Sequence, residues 1–108
     1  MIFGNAAWGL RETPLEQQLA LTRKMGLALL ELSIAGSEKD FLQLGASDNQ
    51  IECVHTFFHN YGISPVCGCT GNDFTGEKPE EELIKVKEVI RIAARVGVKQ
   101  LRIFAGFN

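Results

Sequence analysis

The stretch ARVGVKQLRIFA, Ala94 to Ala105, runs from the end of a helix through a single glycine into a strand-like segment. Two others do the same: RKMGLALLELSI, Arg23 to Ile34, and HNYGISPVCGCT, His59 to Thr70. The glycines concerned, Gly26, Gly62 and Gly97, lie about 35 residues apart. A glycine just past a helix can adopt the left-handed conformation that closes the last turn. Each is followed by Leu, Ile, Val, Cys or Phe, the residue types of a buried strand. Helix, glycine and strand therefore repeat three times.

The helices carry their own start signals. TPLE places Thr13 as a cap, Pro14 at the first helical position and Glu16 where it can reach back, predicting a capping box and a helix to about Met25. A second helix is expected from near Ser47. In EKPEEELIKVKEVIRIAARVG, Pro79 is followed by Glu80, Glu81 and Glu82 at the positive end of the helix dipole. Leu83, Val86, Ile90 and Ala93 then recur at helical spacing, predicting the core-facing stripe of a third helix. With IFGNAAW as the opening strand, the pattern is four strands alternating with three helices. That α/β order calls for a parallel sheet with right-handed crossovers, as in a βα-barrel or an open α/β sheet.

Composition narrows the function. The 108 residues are 45% hydrophobic, enough for one compact domain, residues 1–108. A formal net charge of −2, with Lys and Arg scattered among acids, offers no basic field for nucleic acid or an anionic membrane. No apolar run approaches the roughly 20 residues of a membrane span. The opening MIFGNAAWGLRET lacks the pattern of a secretory signal, so a cytoplasmic location is expected. The three cysteines then read as reduced thiols.

One tempting motif, ECVHTFFH, falls on the middle helix. At about 100° per residue, Ile51, Val54, Phe57, Phe58 and Tyr61 share one side, while Glu52, His55 and His59 share the other, toward water. A catalytic zinc wants about three protein ligands and an open position, so a solvated polar face is expected rather than a metal site. On the strands, counting from each glycine aligns Glu31 with Cys67 and Arg102, and Ser33 with Cys69 and Phe104, all six on one face. Leu30, Leu32, Val66, Leu101 and Ile103 then pack under the helices. Glu31 and Arg102 can meet as an ion pair or contact a substrate, since neither is cheaply buried alone. Cys67 and Cys69 read as small packing residues, Asn72 and Asp73 as turn formers, and Trp8 as either a packing residue or a ligand platform.

PLEQQLALTRKMGLALLELSI and, about fifty residues later, EELIKVKEVIRIAARVGVKQLRIFAG together resemble the sugar phosphate isomerase/epimerase family of xylose-isomerase-like TIM barrels. The resemblance covers nearly the whole chain but only the first half of the family's fold. It implies half of a TIM-type barrel. It also implies that the family's divalent metal, held by Glu, Asp, His and Glu of the fifth to eighth strands, finds no ligands here, so no cofactor is expected in this chain. What remains is the mouth at the strand ends, where Trp8, Glu31, Ser33, Arg102, Phe104 and Asn108 are candidates for binding a carbohydrate. A half-barrel leaves an open face and strand edges, and a homodimer covering them is expected, as a half-enzyme inactive alone or as a noncatalytic assembly module.

Overall fold

A computed structural model of the chain describes residues 1–106. It is a mixed α/β fold of three helices and a small parallel sheet. Helix α1 spans Leu15–Lys24, α2 Asp48–Tyr61 and α3 Pro79–Val96. Strands β1 (Leu32–Ser33), β2 (Cys67–Cys69) and β3 (Gln100–Arg102) pair in that order, all parallel. The sequence punctuation acts as anticipated at the helix ends. Gly62 (φ 66°) and Gly97 (φ 101°) occupy the left-handed region, and the Gly97 N–H donates to the carbonyls of Ala93 and Ala94.

The core lies between the sheet and the helices. Leu30, Leu32 and Ile34 from the β1 region meet Leu19 of α1, Ile51, Val54 and Phe58 of α2, and Val89, Ile92 and Val96 of α3. As expected, Glu52, His55 and His59 lie exposed on the outer side of α2. Arg95 of α3 also reaches Asp48 of α2 at 2.8 Å, but both side chains are largely exposed, so the pair adds little.

Four local expectations are corrected. The opening strand shrinks to one parallel bridge, Asn5 to Leu30, after which Ala7–Leu10 turns as a 3-10 helix. Met1, Ile2 and Phe3 stay exposed because nothing packs outside them. Thr13 does not cap α1. The residue before that helix is Pro14, and it is the Gln18 side-chain amide that donates to the carbonyls of Leu10 and Thr13. The reciprocal capping box sits instead at Ser47 and Gln50. On α3 the buried stripe is Val86, Val89, Ile92, Ala93 and Val96, whereas Leu83 and Ile90 are about half exposed on the flank turned away from α2. Ile103 is likewise exposed, because β3 is an edge with no helix over its far side.

The register also differs from the glycine count. Cys67 pairs with Gln100 and Cys69 with Arg102, while Ser33 pairs with Cys69. Arg102 therefore lies in the row of Ser33, two residues beyond the row of Glu31. A two-residue slip keeps every side chain on its face, so the slip moves the layer and leaves the facing intact.

The caps give a paired test by urea denaturation. Ser47→Ala is expected to cost about 1 kcal/mol. Thr13→Ala is expected to stay within about 0.5 kcal/mol, as for a surface change that removes no cap.

Candidate functional site

A cleft of about 400 Å³ opens at the carboxyl ends of the strands. Parallel α/β folds gather their ligand sites at this end because the loops following the strands converge there. Ser33 ends β1, and Cys69, Thr70 and Gly71 end and follow β2. Arg102 and Phe104 come from the end of β3, and Trp8 and Arg11 from the turn after the Asn5 bridge. Of the residues singled out by sequence, Trp8, Ser33, Arg102 and Phe104 line this cleft. Glu31 lies one row deeper, beside Asn5 and Cys67. Asn108 lies outside the described residues.

Glu31 and Arg102 do meet. Arg102 Nη2 donates to Glu31 Oε1 at 3.2 Å and Nε donates to Oε2 at 3.3 Å, a two-point contact between residues 71 apart in sequence. The long arginine side chain spans the two-residue offset between their rows. The Glu31 side chain is 13% exposed and that of Arg102 43%, so the pair is shielded beneath and open at the mouth. The carboxylate holds the guanidinium in its charged form, raising the arginine's pKa. Cys67 Sγ lies 3.9 Å from Glu31 Oε2. The Cys69 thiol is pushed up to about 11, first by burial and then by the charge of Glu31, against smaller opposing effects of Ser33 and Arg102. Neither burial nor a neighbouring carboxylate favours the thiolate form that a cysteine nucleophile needs.

Several site residues were hidden from sequence. Asp40, in the loop after β1, accepts from Ser33 Oγ at 2.6 Å, from the N–H groups of Gly36 and Ser37, and from Ser37 Oγ. That loop leaves β1 through Ala35, a non-glycine residue at φ 49°, a conformation that the surrounding contacts must hold in place. Gly36 and Gly71 bring two loops into backbone contact: a Cβ on Gly71 would sit 3.1 Å from the Gly36 carbonyl oxygen, and one on Gly36 2.8 Å from Ser33 Oγ. Asn72, 3% exposed, donates its amide to the Phe104 carbonyl at 2.6 Å and accepts from the Phe104 N–H at 2.9 Å. One side chain thus extends the β2–β3 pairing past the end of the strands. Asp73 forms the expected turn, accepting from the Thr75 N–H at 2.9 Å. Arg11 lies over the Trp8 ring at 4.5 Å and Arg102 over the Phe104 ring at 5.3 Å, two cation–π contacts on the walls of one cleft.

Among the described residues, no group of three or more His, Cys, Asp or Glu comes together that could hold a metal ion. No helix of the described residues is long and apolar enough to cross a membrane.

Two changes probe the site. Arg102→Met leaves Glu31 without its partner; because the arginine is partly exposed, the expected loss is about 1–2 kcal/mol, below that of a fully buried pair, by urea denaturation. The second concerns pH. A folded-state thiol pKa raised from the ordinary 9.0 to about 11 means the native state keeps a proton that the unfolded chain releases. That stabilising contribution is complete below about pH 9 and lost as pH rises through about 11. Stability should therefore fall more steeply over this window in the native sequence than in Cys69→Ala.

No family model matches the chain, and no curated protein matches it. Among solved structures, the fold is similar to the crystal structure of an uncharacterized protein from Parabacteroides distasonis ATCC 8503, with a TM-score of 0.72 and 17% identity. The match covers 93% of this chain and 41% of that one, so the chain spans about two fifths of the length of this neighbour. At such identity the likeness shows the fold alone.

Proposed function

We propose that this chain forms the substrate-binding, N-terminal half of a sugar or sugar phosphate isomerase/epimerase-like TIM barrel, inactive by itself. The observation that carries the reading is the cleft at the strand ends. Its volume suits a small ligand, and it combines aromatic rings at Trp8 and Phe104 with hydrogen-bonding groups at Ser33, Arg102 and Thr70. Aromatic faces take the apolar faces of a sugar ring, and polar groups take its hydroxyls. The half-barrel element of the reading is supported by the all-parallel order and by the Asn5–Leu30 bridge, which supplies the trace of a fourth strand. In this reading the chain's own residues bind and orient. The metal chemistry expected of a complete family member would belong to ligands outside the described residues.

Bare apolar surface on both edges supports a need for cover. Met1, Ile2, Phe3 and Met25 are exposed near the Asn5 bridge, and Leu83 and Ile90 of α3 and Ile103 after β3 are exposed as well. A second reading, a noncatalytic homodimer, rests on the same surface. Two copies joined edge to edge would bring eight strand segments but only six helices. The Leu83–Ile90 flank of α3 would then still lack the neighbouring helix its geometry fits, which favours the first reading.

Trp8 is the only tryptophan, so its fluorescence and indole NMR signal report on the cleft directly. The expected result is saturable perturbation of Trp8 by pentoses, hexoses or their phosphates, with no isomerase or epimerase turnover by the pure chain in Mg²⁺, Mn²⁺ or Co²⁺. Turnover that disappears on chelation, or an unresponsive Trp8 with every sugar tried, would overturn the reading. A concentration-independent dimer mass by light scattering, without sugar binding, would favour the assembly module.

A further inference from the structure

Among the described residues every lysine is exposed except Lys85, which is half-buried on α3. Its ammonium donates to the Gly71 carbonyl. One helical turn before it, Glu82 Oε2 accepts from the Asp73 N–H at 3.1 Å, and residues three apart on a helix stand side by side. The two contacts grip the peptide groups on either side of a single residue, Asn72. The Gly71 carbonyl belongs to the peptide unit before it and the Asp73 N–H to the unit after it, and each unit is a rigid plane. Holding both planes restrains the backbone dihedrals of Asn72. Its remaining freedom is side-chain rotation, and that is taken up by Phe104, whose carbonyl accepts from the Asn72 amide at 2.6 Å and whose N–H donates to it at 2.9 Å. Both contacts from α3 involve a charged group, and such hydrogen bonds are roughly twice as strong as neutral ones. The segment after β3 meets the same loop again at Gly106, where a Cβ would collide with the Thr75 side chain. Thr75 is in turn held by Asp73 Oδ1, through its N–H at 2.9 Å and its hydroxyl at 2.7 Å.

We infer that Glu82 and Lys85 are positioning residues of the cleft, acting through Asn72 to set where Phe104, one of its aromatic walls, stands. Neither residue lines the cleft itself. Helix α3 thus has two functional sides: Val86, Val89 and Ile92 pack into the core, and the neighbouring side at Glu82 and Lys85 steers a loop. The chain of contacts runs from helix to loop to the end of β3, so a change on α3 reaches the cleft without touching a ligand. This inference rests on the proposed reading only in taking the cleft as the binding site.

Amide hydrogen exchange, followed residue by residue by NMR on the chain without ligand, reads this coupling at the Phe104 N–H. Lys85→Met keeps the apolar stem and removes the ammonium; Lys85→Arg restores a cationic donor; Lys87→Met makes the same change at an exposed position of the same helix. In Lys85→Met, exchange at Phe104 should accelerate about tenfold, as for a local opening that has lost a charge-assisted hydrogen bond, while the α3 core amides of Val89 and Ile92 stay within about twofold. Lys85→Arg should keep most of the protection, Lys87→Met should keep all of it, and Glu82→Met should act in the same direction as Lys85→Met. Asn72→Ala should speed exchange at Phe104 at least as much as Lys85→Met. Combining the two should then add nothing, because residues acting in series are not additive. An unchanged Phe104 rate in Lys85→Met would overturn the inference, as would equal acceleration at Val89 and Ile92, which signals general loosening, or a double variant whose effects simply add. Because no ligand enters the measurement, a native chain that binds no sugar would overturn the proposed function and not this coupling.

Discussion

Everything in this fold depends on a division between the two faces of three very short strands. Leu30, Leu32 and Ile34 are almost completely buried against the helices, and burying each such side chain stabilises by about 1.5–3 kcal/mol relative to exposure. Because side chains alternate along a strand, that burial commits Glu31 and Ser33 to the opposite face, and the parallel pairing brings Cys67, Cys69 and Arg102 to join them. The polar face is a consequence of the apolar one. The Glu31–Arg102 contact then answers the problem the division creates, a carboxylate held away from bulk water beside two thiols.

Much of this division was legible from sequence because it is a matter of parity. Glycines that stop helices fix where the chain reverses toward the sheet, and the alternation after each glycine assigns the faces. Layer assignment was less accessible. The connection from Gly97 to β3 is two residues shorter than that from Gly62 to β2, so counting from glycines misplaces Arg102 by one row, an error its long side chain then conceals. Helical stripes suffered a related ambiguity. Leu83 and Ile90 have the spacing of core residues, but a helix flank is buried only if a neighbour stands beside it, and periodicity contains no information about neighbours. Ile2 and Phe3 read as strand for the same reason and stay bare.

The cleft was legible only in outline. Trp8, Ser33, Arg102 and Phe104 could be placed at the strand ends through the resemblance to a βα-barrel, in which the loops after the strands share one mouth. The residues that shape it act at long range in sequence. Asn72 and Phe104 are 32 residues apart, and nothing local distinguishes an asparagine that forms a turn from one that replaces a strand partner. Asp40 is a nearer case, seven residues from Ser33, yet its four donors converge only once Ala35 has turned the chain through the left-handed region.

The contact between Gly36 and Gly71 has a bearing on how such a cleft can diversify. With no side chain at either position, two loops share a single backbone seam: a Cβ on Gly71 would press against the Gly36 carbonyl at 3.1 Å, and one on Gly36 would meet Ser33 Oγ at 2.8 Å. Change in the cleft lining is thereby channelled elsewhere. Phe104 is pinned through its own main chain by Asn72, so its side chain can change without unfastening its segment. Trp8 stands on a short turn, two-thirds exposed. The architecture separates a close-packed glycine hem from two aromatic panels, at positions 8 and 104, whose side chains can be exchanged without touching that seam.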